Sequence, residues 1–413
     1  MARTMASPPY QAIWALVIYA WISVYLARMA IGPLLPILMA ELQLTYAQGG
    51  FLSTALFWGY MAMQFPAGLL GDRIGRRRML VGGVLLSSAF TALTALAGSF
   101  WAIFAARFAT GLAQGFLFSN DRVLITATTP REKMALGQGV SFSGPGIGTT
   151  FGLLFAGALA AVIPWRGVFL VFAVPPLLAA ALLWALAPEP ARSAQAADPA
   201  WPFRRVLRTP DFWLLALAGT MPVYAQFLLA TWTPMMFGEI GVTDVARSAL
   251  LSSLQGLVAP AGLLASGLAA DRIHRRGFGR KLIVATALSL TALSLAGMGL
   301  VVEARRAVWL LTALMLSSSF LFWSTWAPAW AILGELFPPS VLGKVFGFYN
   351  MTCFIGGVLG PYLTGVIRDA TGSFAAGLYA AAVGCLVSAL LAMAVRPAWR
   401  LAPVPALVTQ GSP

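Results

Sequence analysis

Charge is scarce in this sequence, and acid scarcer still. The 413 residues carry 13 Asp and Glu against 27 Lys and Arg, and charged types together make up 10%. There is a single histidine, His274, in a charged loop, and there are two cysteines, Cys353 and Cys385, each inside an apolar run. Cysteines so placed exclude a disulfide framework, and one loop histidine leaves no ligand set for a metal. The apolar runs also hold no nucleophile–base pair, so neither an enzyme nor a bound cofactor is expected.

Apolar residues fill the chain instead. At 59% hydrophobic it lies far above the roughly 45–50% of soluble domains, so water cannot solvate most of its surface. A bilayer core about 30 Å thick takes around 20 apolar residues per helix. Twelve such runs can be read: Ala12–Leu38, Ala47–Leu70, Met79–Ala97, Trp101–Ala127, Ala135–Ala161 and Val168–Ala187, then Phe212–Phe237, Ser248–Ala270, Leu282–Val302, Val308–Ile332, Val345–Ile367 and Ala375–Val395. The predicted fold class is an all-α polytopic membrane protein with six helices per half. Residues 1–187 form the first bundle, 188–210 a Pro-, Ala- and Arg-rich cytoplasmic linker, 211–396 the second bundle, and 397–413 a tail. The first run is long enough to span, and no cleavable leader is expected before it.

A net charge of +14 in a soluble chain would suggest nucleic acid. Here nineteen Arg and Lys sit in the amino terminus, the even-numbered connections and the tail, against five in the opposite loops. That alternation is a membrane-orientation signal, and it places both termini in the cytoplasm.

The loop after the second run packs five charges into Gly68-Leu-Leu-Gly-Asp72-Arg73-Ile-Gly75-Arg76-Arg77-Arg78. An echo, Gly267-Leu-Ala-Ala-Asp271-Arg272-Ile-His-Arg275-Arg276, follows 199 residues later. Gly144-Pro145-Gly146 in the fifth run is similarly matched by Gly360-Pro361 in the eleventh. A pattern repeated once per half implies a duplicated architecture. The loop resembles the signature of the major facilitator superfamily of transporters. The resemblance implies two pseudo-symmetric six-helix bundles that rock about a midplane site. It also implies a cytoplasmic latch at Asp72, Arg73 and Arg76 and at Asp271 and Arg272.

Four charges fall well inside the runs: Arg28, Arg107, Asp121 and Arg122. Each costs about 2.5–3.5 kcal/mol at a helix centre on insertion scales, so each needs a partner or a task. At about 1.5 Å per residue, Arg28 and Arg107 lie at similar depth, and neither has a carboxylate within a helical turn. Guanidinium binds carboxylate through a two-pronged fork, so the pair reads as an anion site. The alternative for Arg107 is that it ties helices together through backbone carbonyls. Arg107, Thr110, Gly111, Gln114, Phe118 and Asp121 share one helix face, as do Trp21, Tyr25, Arg28 and Gly32. Asp121 reads either as a salt bridge with Arg122 that closes an inner gate or as a titrating carboxylate.

The second half reads as free of buried charge. Its candidates are Tyr224, Gln226, Trp326 and Asn350, with Trp323, Trp326 and Trp330 as a stripe that is either core, interfacial belt or binding wall.

Further segments resemble the anion:cation symporter branch of the superfamily: Arg28, Arg107-Phe-Ala-Thr-Gly111, Asn120-Asp121-Arg122, Trp165-Arg166-Gly167, Asn350 and Asp369-Ala-Thr-Gly372. The branch implies organic-anion binding at Arg28 and Arg107, and proton-coupling carboxylates at positions that here hold Ala27 and Gln114. The expectation is thus a monomeric secondary transporter of a small carboxylate or sugar acid in a bacterial inner membrane. Proton symport through Asp121, uniport and anion exchange remain open. Gly144-Pro145 also resembles a motif of drug:proton antiporters, which keeps export of lipophilic compounds as the alternative.

Overall fold

The computed structural model describes residues 9–130, 133–190, 202–305 and 307–396. Among these, eleven segments are long and apolar enough to cross a membrane. They are α1 (Tyr10–Leu42), α3 (Arg76–Leu96), α4 (Phe100–Thr128), α5 (Gly139–Ala160), α6 (Trp165–Leu186), α7 (Pro210–Glu239), α8 (Val245–Arg275), α9 (Lys281–Ala304), α10 (Val308–Leu336), α11 (Val341–Thr371) and α12 (Phe374–Ala394). The remaining span, α2 (Tyr46–Ile74), is 29 residues long, and glycine, glutamine and tyrosine lower its hydropathy. A Thr45–Gln48 capping box starts it, satisfying backbone donors that the first turn cannot. The ends fall within a few residues of those read from sequence. The middle of the linker, 191–201, and the tail, 397–413, lie outside the described residues.

Packing repeats under a shift of six helices. The pairs α1·α5, α2·α4 and α3·α6 recur as α7·α11, α8·α10 and α9·α12. The halves meet along α2·α11 and α5·α8, which the same shift exchanges. This is the contact pattern of a pseudo-two-fold duplication.

The helices divide into two kinds. α3, α6, α9 and α12 each run unbroken. They turn leucines and valines outward, among them Leu93, Leu178, Leu293 and Leu390. Such a belt suits lipid, not water. The others, α2 excepted, are interrupted: α1 at Ala30, α4 at Phe116, α5 at Phe142, α7 at Gly219, α8 over Leu254–Gly256, α10 at Ser324 and α11 at Phe354. Proline sits near most of these breaks, as Pro33, Pro145, Pro222, Pro260 and Pro328. It removes a backbone donor and crowds the preceding turn. Irregular backbone is tolerated at membrane depth only where protein or a cavity covers it, and the broken helices accordingly occupy the centre.

Both described chain ends lie on one face, the terminal face. Tyr46, Phe100 and Thr371 mark the opposite one.

Candidate functional site

Arg28 is 1% exposed and sits in the last turn of the first piece of α1. Its Nε donates to Gln114 Oε1 at 2.9 Å, and Gln114 is held by donating to Val24 O and Ser87 Oγ, both at 3.2 Å. The guanidinium carbon lies 4.3 Å from the Tyr25 ring centroid and 4.4 Å from that of Tyr60. Both terminal nitrogens, Nη1 and Nη2, are buried without a partner. Two rings and one amide thus fix the side chain while its two-pronged edge stays free. For a buried cation this is costly unless something else completes it.

Arg107 is buried as deeply but used differently. Its Nη1 donates to Ala27 O at 2.7 Å and its Nη2 to Arg28 O at 3.1 Å. These carbonyls lie just before the α1 break at Ala30, which Pro33 follows. The backbone-tying alternative therefore describes its contacts: Arg107 splints the turn that presents Arg28.

Beside Arg28 a cavity of about 30 Å³ lies between the halves. Volume of that order holds a water or two, so an organic ligand enters only when the bundles part. Tyr25 and Tyr60 belong to its wall, as do Gln226, Trp326 and Asn350. Four candidates from sequence, Tyr25, Gln226, Trp326 and Asn350, are thereby brought together. Gln114 and Arg28 stand directly behind the tyrosines. Tyr224 is not in the wall; its hydroxyl pairs with Thr364 Oγ1 at 3.3 Å within the second half. The tryptophan stripe faces inward: Trp323 and Trp326 line the cavity, and Trp330 packs edge-on against Phe142 of the first half at 5.2 Å.

Tyr60 escapes sequence reading although it flanks Arg28. Gly59 and Gly111 let α2 and α4 cross backbone to backbone, since a Cβ at either would collide with a carbonyl of the other helix. That crossing delivers Tyr60 to Arg28, and the two glycines were the available signal.

Toward the terminal face, Asp121 accepts from Trp21 Nε1 at 2.6 Å and pairs with Arg122 at 2.8 Å. Arg122 lies over the Phe142 ring at 5.4 Å, and Phe142 meets Trp323 and Trp330 across the seam. Asp121 and Arg122 thus brace an aromatic contact between the halves.

At the charged loops, Arg76 donates to Asn120 Oδ1 at 3.1 Å, and Arg280 bridges Asp271 at 3.1 Å and Glu335. Each tie lies within its own half. Arg73 and Arg272 are exposed, and the side chain of Asp72 lies outside the described residues. One reading needs correction: the second half does bury a charge. Asp211 is fully buried in the first turn of α7, where Arg396 holds it at 2.9 Å. The helix begins at Pro210, earlier than the hydropathy suggests, so Asp211 falls inside it.

The opposite face carries a tie between halves. Asp369, near the end of α11, accepts from the backbone N–H groups of Tyr46 at 3.0 Å and Ala47 at 2.7 Å, capping α2. Arg368 pairs with Glu239 at 2.7 Å and lies over the Tyr46 ring at 4.7 Å. Within the first half, Trp165 and Arg166 both bind Glu41, at 2.6 and 2.8 Å.

The family model for the Major Facilitator Superfamily matches residues 17–361. The chain is 27% identical to a hexuronate transporter of Bacillus subtilis over 90% of its own length and 92% of the relative's. It is 25% identical to a probable sulfoacetate transporter of Cupriavidus necator over 85% of each. Among solved structures, a bacterial homologue of the human lysosomal transporter Spinster, inward-facing and occupied, superposes with a TM-score of 0.80 at 18% identity. That match covers 96% of this chain and 98% of the other.

Proposed function

The chain belongs to the Major Facilitator Superfamily, and on that premise we propose that it is a secondary transporter of small organic anions working by alternating access. The observation that carries this reading is Arg28: a buried guanidinium whose two terminal nitrogens have no partner, directly behind the tyrosines that line a cavity between two bundles. A carboxylate or sulfonate satisfies both nitrogens at once. Relatives named for hexuronate and sulfoacetate, both organic anions, support the same class. Arg107 acts in this reading as a positioning residue, with Gln114 as its counterpart on Arg28 Nε.

The reading keeps the division at 1–187, 188–210, 211–396 and 397–413, a monomer, and both termini in the cytoplasm of a bacterial inner membrane, on the arginine and lysine asymmetry. It assigns the charged loops to the cytoplasmic face, where they brace each bundle. The positions at which the resemblance implies proton-coupling carboxylates hold Ala27 and Gln114, so Asp121 is the carboxylate through which a proton would have to couple.

Counterflow in proteoliposomes tests the proposal. Vesicles loaded with a panel of carboxylates and sulfonates should drive uptake of at least one labelled member, while loading with neutral analogues does not. A protein that instead moves lipophilic cations and no anion is an exporter of the alternative kind. Asp121→Asn then separates the modes: loss of pH-gradient-driven uptake with counterflow retained marks proton symport, and unchanged uptake marks uniport or exchange.

A further inference from the structure

The wall of the central cavity is chemically lopsided. Ten of its fifteen residues are aromatic, so a ligand meets ring faces on most sides. Several of the wall's donors lack a partner. On the second half, Trp323 Nε1, Trp326 Nε1 and Asn350 Nδ2 are all buried without a partner. Behind Tyr25 and Tyr60 on the first half lie the two unpartnered nitrogens of Arg28. The wall's acceptors are the Tyr25, Tyr60 and Thr149 hydroxyls and the amide oxygens of Gln226 and Asn350; Gln226 Oε1 already takes a bond from Ser319 at 3.4 Å.

Resting on the reading of Arg28 as the anion site, we infer that the substrate is a flat aromatic or conjugated carboxylate with a second oxygen acceptor at its far end, not a polyhydroxylated sugar acid. A buried hydroxyl needs hydrogen-bond partners, and a sugar acid brings several hydroxyls into a wall that is mostly ring faces. A planar anion brings none or one. Its first carboxylate takes the Arg28 edge, its ring lies against the aromatic walls, and its distal oxygen accepts from the indole and amide donors of α10 and α11. The surplus donors on the second half are then accounted for, since an unmatched buried donor is unfavourable and a matched one confers discrimination.

The substrate is not polar throughout in this view, which sets it apart from the cargo named for the hexuronate relative. That relative matches at 27% identity, a distance at which wall residues can differ while the fold stays the same.

The test is equilibrium binding to the full-length protein in nanodiscs, with terephthalate, benzoate, galacturonate and glucarate as probes. We expect terephthalate to bind at least tenfold more tightly than galacturonate or glucarate, and more tightly than benzoate, which lacks the second acceptor. Trp326→Phe keeps an aromatic ring and removes the N–H. It should weaken terephthalate about tenfold while moving benzoate less than twofold. Tighter binding of either sugar acid overturns the inference and leaves the anion reading standing, as does a Trp326→Phe variant that weakens both aromatic probes equally. Binding of no probe at all, in wild type known to be folded from its thermal transition, overturns the anion reading itself.

Discussion

Two buried arginines lie in adjacent helices, and their hydrogen bonds separate their roles. Arg107 spends both terminal nitrogens on the carbonyls of Ala27 and Arg28, so removing it leaves two buried acceptors behind. Arg107→Met is expected to destabilise the protein by about 1–3 kcal/mol, the usual cost of orphaning buried polar groups, read as a lower thermal midpoint. Gln114 is neutral where the resemblance implies a carboxylate, which keeps Arg28 open at every pH. Gln114→Glu should seat a carboxylate on Arg28 and compete with the ligand. Anion binding at neutral pH should fall at least tenfold and recover on acidification, as the introduced carboxyl is protonated and lets go. Wild type should show no such recovery. A variant whose pH profile matches wild type contradicts the role given to Gln114. Arg28, Arg107 and Asp121 were legible in the sequence because charge is foreign to an apolar run. Which arginine is free was not legible, because that depends on carbonyls in another helix. Tyr60 and Phe142 were hidden among 9 tyrosines and 26 phenylalanines, and the burial of Asp211 depends on Arg396, 185 residues away.

Among the helices, continuity divides the supports from the machinery. The unbroken α3, α6, α9 and α12 form the lipid-facing flanks, and the interrupted helices line the centre. The apolar runs gave the order of the spans, and the prolines marked most of the breaks. Hydropathy could not say which face of a span meets the other half, because the mean over a window discards direction. The seam between α2 and α11 depends on close approach. A Cβ on Gly50 would strike the carbonyl of Pro361, and one on Gly365 the carbonyl of Tyr46. Gly365→Ala is therefore expected to part the halves at the opposite face without changing helix content. Spin labels on the Tyr46 and Thr371 ends of α2 and α11 should report a longer mean distance, with circular dichroism unchanged. An unaltered distance distribution contradicts this account of the seam.

For the whole molecule, alternating access needs ties that hold one face and release. The clamp of Asp369 on the first turn of α2 crosses between halves and is made of charge-assisted bonds to backbone N–H groups. Loss of such a cap costs about 0.5–2 kcal/mol. Asp369→Ala should accordingly shift the population toward an open opposite face by about twofold to thirtyfold, since a ligand or a tie biases the equilibrium only through its difference between states. The charged loops, which carried the family resemblance, brace each bundle and say nothing of cargo. In the proposal, cargo rests on Arg28. The most direct test is the thermal midpoint of Arg28→Met in nanodiscs, with and without an organic anion that stabilises wild type. The account predicts an apo midpoint at or above that of wild type, because an unpaired buried charge is gone, together with complete loss of the anion-induced shift. An anion shift that survives in Arg28→Met would contradict it.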